Sequence, residues 1–395
     1  MGALAAAGQL VTTTEELQRA LGAVRDSGII GIDTEFMREK TYRAKLCLVQ
    51  FSADEDVWLL DPLSTVSLAP LGEVVGEPAI KKVVHAGKQD LEIFYETFNV
   101  VPANVYDVQV AAAFAGYGAS LAYGRLVSAA LGVSLTKGES YTDWCRRPLT
   151  DAQLRYAADD VRYLIPLYDK LTKALTEAGR LDWIDDEFAE LGDEETYRFD
   201  PASVWKKVGG RGSLTPRQTA VLREVARWRE ETAMKRDLPR GWIVKDATLI
   251  DVARRAPSSL GELKSVRGMN AREVERGGQE ILAAIEKGRR GEPVDKASSP
   301  PRTVQARARM VSGLADAVVR ARCERAGLAT ELVATRSELE NLLTEVFDGR
   351  LNERSHRILQ GWRRELAGDA VVDLAEGKLA VRVLNDPPYV EEVYI

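Results

Sequence analysis

The feature that most constrains this chain is a change of hydrophobic rhythm near residue 150. Before it, short β-branched or apolar runs alternate with helical patterns; after it the spacing is helical almost throughout. GIIGIDTEF, ending at Phe36, reads as a strand flanked by glycine. LCLVQFSA from Leu46 and VWLLDP from Val57 read as the next two, joined as a hairpin through Asp54-Glu55-Asp56. KKVVHAG (81–87) is another short strand, followed by a helix with Leu91, Phe94, Tyr95 and Phe98 on one face. VYDV (105–108) precedes an Ala-rich helix. Strands first, then strand–helix alternation, predict an α/β fold: a mixed sheet with helices on its faces.

From Thr150 the positions Leu154, Ala157, Ala158, Val161, Leu164, Leu167, Tyr168 and Leu171 predict one long amphipathic helix. An acid-rich stretch between Gly179 and Ser203, containing DDEFAELGDEE, reads as a linker or a short helix wrapping the first domain. Thr215 and Pro216 predict a helix start, as N-cap and first helical residue, with Val221, Val225, Trp228 and Thr232 as its apolar stripe. Asn270 and Glu273 resemble a capping box opening a helix to about Lys287. The stretch 288–302, GRRGEPVDKASSPPR, is the clearest linker. A last helical segment follows, with a short strand pair expected at its end, in VVDLAEGKLAVRV. A chain of 395 residues suits two or three domains.

Several classes are excluded. No apolar run approaches the roughly 18 residues of a membrane span, and the opening MGALAAAGQL lacks the basic start of a signal peptide. Cys47, Cys145 and Cys323 are few, odd in number and far apart. That excludes a disulfide framework and a cysteine-based zinc site and points to a reducing cytoplasm. The net charge of −6 argues against nucleic acid as a partner until the chain is divided. Residues 1–200 hold 19 basic and 32 acidic residues, whereas 201–395 hold 35 and 28, so an acidic half precedes a basic one.

With only His85 and His356, histidine-based hydrolysis is poorly supported, and His85 reads as a satisfied core residue. Carboxylates are the richer resource. Asp33 and Glu35, two apart on a strand, leave the same face while Ile30 and Ile32 point into a core. Side by side they repel unless a cation lies between them, and Mg²⁺, a hard oxygen-seeking ion, is the natural occupant. An acid-rich chain also contains such triplets by chance. Tyr156 and Asp160 are one helical turn apart beside an apolar stripe, and a Tyr–Asp hydrogen bond at a solvated edge explains them equally well. Asp159 is rotated away toward water. Asp90, in the first turn after VVHAG, is also the acid a helix dipole favours.

Taken in order, DTE on a first strand, HAGKQD at a strand–helix junction and YAADD on a late helix resemble the three exonuclease motifs of the DEDD superfamily, in its Tyr-containing branch. IDTEFMREKTYRAKLCLVQ, KKVVHAGKQDLEIF and KGESYTDWCRRPLTDAQLRYAADDVRYLIPLYDKL are similar to the ribonuclease D family over roughly 10–180. LTPRQTAVLREVARWREETAMKRDLPRGWIVKDATLIDVARRAPSSLGELKSVRGM (214–269) resembles an HRDC domain, and 303–385 lies where that family carries a second HRDC-like module. The resemblance implies a ribonuclease H-like exonuclease domain over 1–203 and small all-α HRDC-type domains over 204–290 and 303–395.

It also implies 3′→5′ exoribonuclease action by two-metal-ion hydrolysis with Mg²⁺ or Mn²⁺, releasing nucleoside 5′-monophosphates. Asp33, Glu35 and Asp160 would hold the metal that binds the attacking water. Asp33 would bridge to a second metal, with Asp90 acting there directly or through water, and Tyr156 would orient the water. Lys137 matches a position that reaches a substrate phosphate, and is equally a solvated loop lysine. Phe36 would stack on the terminal base, or else belong to the core face of Ile30 and Ile32.

Lys206, Lys207, Arg211 and Arg217 form a basic lead-in suited to RNA phosphates. The alternation REVARWREE (223–231) reads as a solvated helix face. The expected partner is RNA with a free 3′ end, such as a tRNA precursor, met in the cytoplasm by a monomer that engages no membrane. A DNA-directed exonuclease and an inactive RNA- or protein-binding scaffold are the competing readings; the motifs do not separate the two sugars.

Overall fold

The computed structural model describes residues 8–135, 142–294 and 300–395. It opens with β1 (Gln9–Val11) and α1 (Thr14–Ser27), which the hydrophobic pattern did not announce. Thr13 and Glu16 cap α1 reciprocally. Then come β2 (Ile29–Met37), β3 (Lys45–Ala53), β4 (Asp56–Leu60), α2 (Ala69–Gly76), β5 (Lys81–Val84), α3 (Lys88–Phe98), β6 (Val105–Asp107), α4 (Val108–Phe114) and α5 (Tyr123–Leu131). The six strands form one sheet in the order β1-β4-β3-β2-β5-β6. β3 and β4 pair antiparallel, while β1–β4, β2–β5 and β5–β6 are parallel, so the sheet is mixed as expected. β2 sits inside the sheet, with Ile30 and Ile32 fully buried.

The long helix expected after Thr150 is two: α6 (Asp151–Arg162) and α7 (Leu164–Glu177), parted at Tyr163. Pro166 causes the break, because it has no N–H to give the carbonyl of Arg162 and its ring crowds that turn. The acid-rich stretch folds into α8 (Leu181–Ala189), a 3₁₀ turn and α9 (Glu194–Tyr197). Two 3₁₀ turns lead to the long α10 (Pro216–Arg236), capped by Thr215 as expected. There follow α11 (Arg240–Ile243), α12 (Asp246–Arg255), α13 (Leu260–Lys264) and α14 (Ala271–Arg290). Asn270 does cap α14, but through the Arg272 amide, and Glu273 is drawn instead to Arg236 at 2.7 Å.

The last part comprises α15 (Arg302–Ala326), α16 (Thr330–Val333), α17 (Arg336–Phe347), a short α18 (Gly361–Arg363), α19 (Asp369–Glu376) and the hairpin β7 (Leu379–Val383) with β8 (Val390–Tyr394). The strand pair is thus real, but VVDLAE belongs to α19 and β7 pairs with the terminal residues. Among the described residues, no helix is long and apolar enough to cross a membrane.

Two compact units result. One combines the sheet domain up to Glu35, Cys47–Tyr197 and the C-terminal Pro300–Ile395; the other combines Phe36–Leu46 with Arg198–Ser299. Within the first, α8 is the seat for the C-terminal segment. Trp362 stacks on Trp183 with centroids 4.9 Å apart and meets Phe114 edge-on, while Arg363 pairs with Glu187 at 2.6 Å. The acidic stretch therefore has a packing role. In the second unit the core gathers on α10 around Val221, Val225 and Trp228. The REVARWREE stretch is not a solvated face: Glu224, Arg229 and Glu230 are all buried. Arg229 reaches Asp246 at 2.7 Å and Glu224 reaches Lys287 at 2.9 Å, while Glu230 Oε1 accepts from the Tyr42 hydroxyl at 2.8 Å.

The cysteines depart from expectation. Cys47 and Cys145, 98 residues apart in sequence, form a disulfide with Cα atoms 5.2 Å apart, and Cys323 is a buried free thiol. Sequence separation says nothing about the return of the chain, which here brings the loop before α6 onto β3. Arg147 pins the same loop, donating to the Cys47 carbonyl at 2.6 Å and gripping Asp61 with two nitrogens at 2.6 and 2.7 Å.

Candidate active site

Gly31 sets the site's framework. A Cβ there would meet Ser52 Oγ at 2.6 Å, Leu164 Cβ at 3.0 Å and the Val161 carbonyl at 3.3 Å, so the α6–α7 junction lies directly on β2. Ser52 Oγ donates to that carbonyl at 2.9 Å. Asp160, next to Val161, is thereby brought to the strand that carries Asp33 and Glu35.

Asp90 comes from α3. It is buried in the first turn of α3 and accepts a hydrogen bond from the Thr34 hydroxyl, which ties it to β2. Its approach is set by Asp107, whose carboxylate accepts the N–H groups of Ala86 (3.0 Å), Gly87 (3.1 Å) and Gln109 (2.8 Å). That one side chain fixes the turn before α3 and caps α4. On α6, Tyr156 hydrogen-bonds Asp160, and its ring lies 6.0 Å from that of Trp144.

The electrostatics mark these acids as one group. Burial, then Asp90, Asp160 and Glu35, push Asp33 well above the usual carboxylate range. Burial, with Asp160 and Asp90, lifts Glu35 to about 8. Asp160 is raised to about 7 by burial and Asp159, against the lowering bond from Tyr156, and Asp90 to about 6, chiefly by burial. Asp90 and Asp160 thus hinder the ionisation of both Asp33 and Glu35, and four buried acids so placed are an oxygen-donor set that a hard divalent cation relieves. Among the described residues no three His, Cys, Asp or Glu side chains already close around a single ion position. The donor chemistry fits such an ion, and Asp33, Glu35, Asp90 and Asp160 are the side chains available to hold it.

Sequence reasoning passed over three residues here. Thr34, between the two strand acids, anchors Asp90. Asp107 holds the Ala86–Gly87 turn. Tyr123 donates to the Asp159 carbonyl at 3.1 Å and accepts from the Tyr163 amide at 3.3 Å, fixing the end of α6; burial, then Asp160, raises its pKa strongly. Thr34 was legible as the centre of DTE, but the other two act through backbone groups far along the chain.

The remaining expected residues fall elsewhere. Asp159 does not simply face water, since it is half-buried and 3.5 Å from Arg162. His85 bonds the Leu121 carbonyl at 3.0 Å, and burial holds its pKa down, as suits a satisfied neutral histidine. His356 faces Glu345 at 2.9 Å. Phe36 is half-buried on β2 and lies outside the buried core. Lys206, Lys207 and Arg211 are exposed on the 3₁₀ turns before α10, in the second unit. Arg217 is engaged by the carbonyls of Arg289 and Gly291. Lys137 lies outside the described residues.

A mixed sheet presenting clustered acids from β2, α3 and α6 defines a nuclease of the 3′–5′ exonuclease class, and residues 9–176 match the 3′-5′ exonuclease family model. Residues 218–285 match the HRDC domain and 314–371 the ribonuclease D C-terminal HRDC domain. The chain is 38% identical to a ribonuclease D of Acidiphilium cryptum, with 94% of each chain covered. It is 36% identical to one of Gluconacetobacter diazotrophicus, over 95% of this chain and 94% of that one. The crystal structure of Escherichia coli RNase D superposes with a TM-score of 0.79 at 32% identity, over 94% of this chain and 99% of that one. The chain belongs to the ribonuclease D family, and it is a hydrolytic 3′–5′ exoribonuclease. That membership implies divalent-metal chemistry and a nucleic-acid partner.

Proposed function

We propose that this exoribonuclease trims the free 3′ ends of structured RNA, tRNA precursors among them, releasing nucleoside 5′-monophosphates. The observation that carries the reading is the acid cluster of Asp33, Glu35, Asp90 and Asp160, in which Asp90 and Asp160 raise both strand acids and Asp160 is bonded to Tyr156. Two ions, Mg²⁺ or Mn²⁺, would supply the Lewis acidity for an in-line displacement when bound. Asp33, Glu35 and Asp160 would hold one and Asp33 with Asp90 the other. Tyr156 orients the attacking water through its hydroxyl; with an ordinary pKa near 10, tyrosine is a poor base at neutral pH.

We further assign 1–203 as the catalytic domain, with HRDC-type domains over 204–290 and 303–395. Lys206, Lys207 and Arg211 are the proposed phosphate contacts, because they are exposed in the most basic part of the chain. Lys137 and Phe36 are proposed to meet the terminal nucleotide. E. coli RNase D is described as an exoribonuclease involved in structured RNA processing, which supports the same substrate class here. The protein is taken to act as a monomer in the cytoplasm.

The test is incubation of the purified chain with 5′-labelled RNA and DNA in Mg²⁺, Mn²⁺ or EDTA. Stepwise 3′ shortening of RNA, lost in EDTA and in Asp33→Asn, is expected. Internal cuts, or activity that survives EDTA, would refute the metal-dependent exonuclease reading.

A further inference from the structure

Residues 36–46, which comprise the end of β2, its connection to β3 and the start of β3, pack as part of the helical unit. The attachment is specific. Asp237 ends α10 in the left-handed region (φ 48°), and its Oδ1 accepts the backbone N–H groups of Tyr42 (3.1 Å) and Arg43 (3.0 Å). The Tyr42 hydroxyl donates to Glu230 Oε1 at 2.8 Å, and its ring packs against the α10 core. Glu230 is fully buried, and its second oxygen has no hydrogen-bond partner. Within the segment, Arg38 Nε donates to the Tyr42 carbonyl at 3.2 Å and Thr41 Oγ1 to the Arg43 carbonyl at 2.6 Å, giving the strap a defined shape.

Burying a carboxylate is costly unless it is bonded. An apolar residue at position 230 would fill the core without that cost, so Glu230 is explained by the strap it holds through Tyr42 at 2.8 Å, with Arg240 3.8 Å from the same oxygen. What it holds begins one residue after Glu35, on the same strand. We propose that Tyr42 and Asp237 are positioning residues: they latch the β2–β3 strap into the helical unit and so fix the outer end of β2, where Glu35 stands. This rests on the exonuclease reading of Asp33 and Glu35.

The experiment uses the full chain and the variants Tyr42→Phe, Asp237→Ala and Asp237→Asn. Each is assayed for kcat and KM on a short 5′-labelled oligoribonucleotide and, separately, for Mg²⁺ binding by calorimetry without substrate. We expect Asp237→Ala to lower kcat about 10–100-fold, the scale of a small misplacement in an active site. KM should stay nearly constant and Mg²⁺ binding weaken several-fold. Tyr42→Phe should act in the same direction, and Asp237→Asn, which keeps an acceptor oxygen, should restore most of both. A lowered melting temperature with kcat and Mg²⁺ affinity unchanged in all three variants would overturn the proposal. If the unmodified chain leaves RNA intact, the exonuclease reading fails by itself, and the calorimetric comparison still decides the strap.

Discussion

Tyr156 hydrogen-bonds Asp160 one helical turn along α6, and that bond lowers a carboxyl pKa that burial and Asp159 otherwise raise to about 7. Tyr156→Phe removes both the hydroxyl and that lowering. The expected result is a loss of kcat of about 100-fold, with the acidic limb of its pH profile moved to higher pH and Mg²⁺ affinity nearly intact at alkaline pH. Unaltered turnover would take Tyr156 out of the mechanism.

Gly31→Ala tests the approach of α6 to β2. The added methyl meets Ser52 Oγ at 2.6 Å and Leu164 Cβ at 3.0 Å, so the helix junction beside Asp160 must move. Overpacking of this kind costs about 1–3 kcal/mol, and activity should fall by more than the loss of folded protein explains. Thermal melts alongside kcat measurements separate the two effects, and a fully active variant would contradict the close approach.

The metal-free protein should lose stability as pH rises. Glu35, Asp160 and Asp90 titrate near 8, 7 and 6 in the folded chain, against roughly 4 in unfolded chains. Between those values the folded state binds more protons than the unfolded state, so unfolding becomes easier as each acid ionises. The melting temperature in EDTA should therefore fall between pH 5 and about 8, and Mg²⁺ should raise it more at pH 8 than at pH 6. A flat profile in EDTA would show that the acids are not mutually strained.

Replacing Lys206, Lys207 and Arg211 together by alanine should weaken RNA binding most at low salt. If each meets one phosphate, the slope of log K against log[salt] should lessen by about 2, at roughly 0.7 per contact for single strands. An identical slope would remove these three from the interface.

Cys145→Ser should lower the melting temperature under oxidising conditions and match the parent in reductant. Closure of a 98-residue separation is worth about 4–5 kcal/mol in the chain-entropy picture. Equal melting in both conditions would mean that the pair adds nothing beyond what Arg147 already secures.

Much of the site was legible because its chemistry is local. Asp33 and Glu35 share a face through the two-residue period of a strand, and Tyr156 and Asp160 share one through the turn of a helix. The order of the motifs along the chain then led to the family. The break at Tyr163 was also written locally, in Pro166, and was overlooked because the apolar spacing runs straight through it.

What remained hidden has its partner far away in sequence. Glu230 looks like one more charge on a solvated face until Tyr42 reaches it, and the acid-rich stretch between Gly179 and Ser203 reads as a linker or a short helix until α8 forms and Trp362 stacks on Trp183. Cys47 finds Cys145, and Asp107 holds the turn before Asp90, by the same kind of return. The sequence by itself determined the mixed sheet and the helical second half, and it singled out the five residues proposed for the site, since periodicity and residue chemistry are properties of neighbours. Only the tertiary structure decided which charges are buried, which cysteines pair and where the strap is held. Each of those depends on the desolvation and packing of groups that become neighbours only when the chain folds.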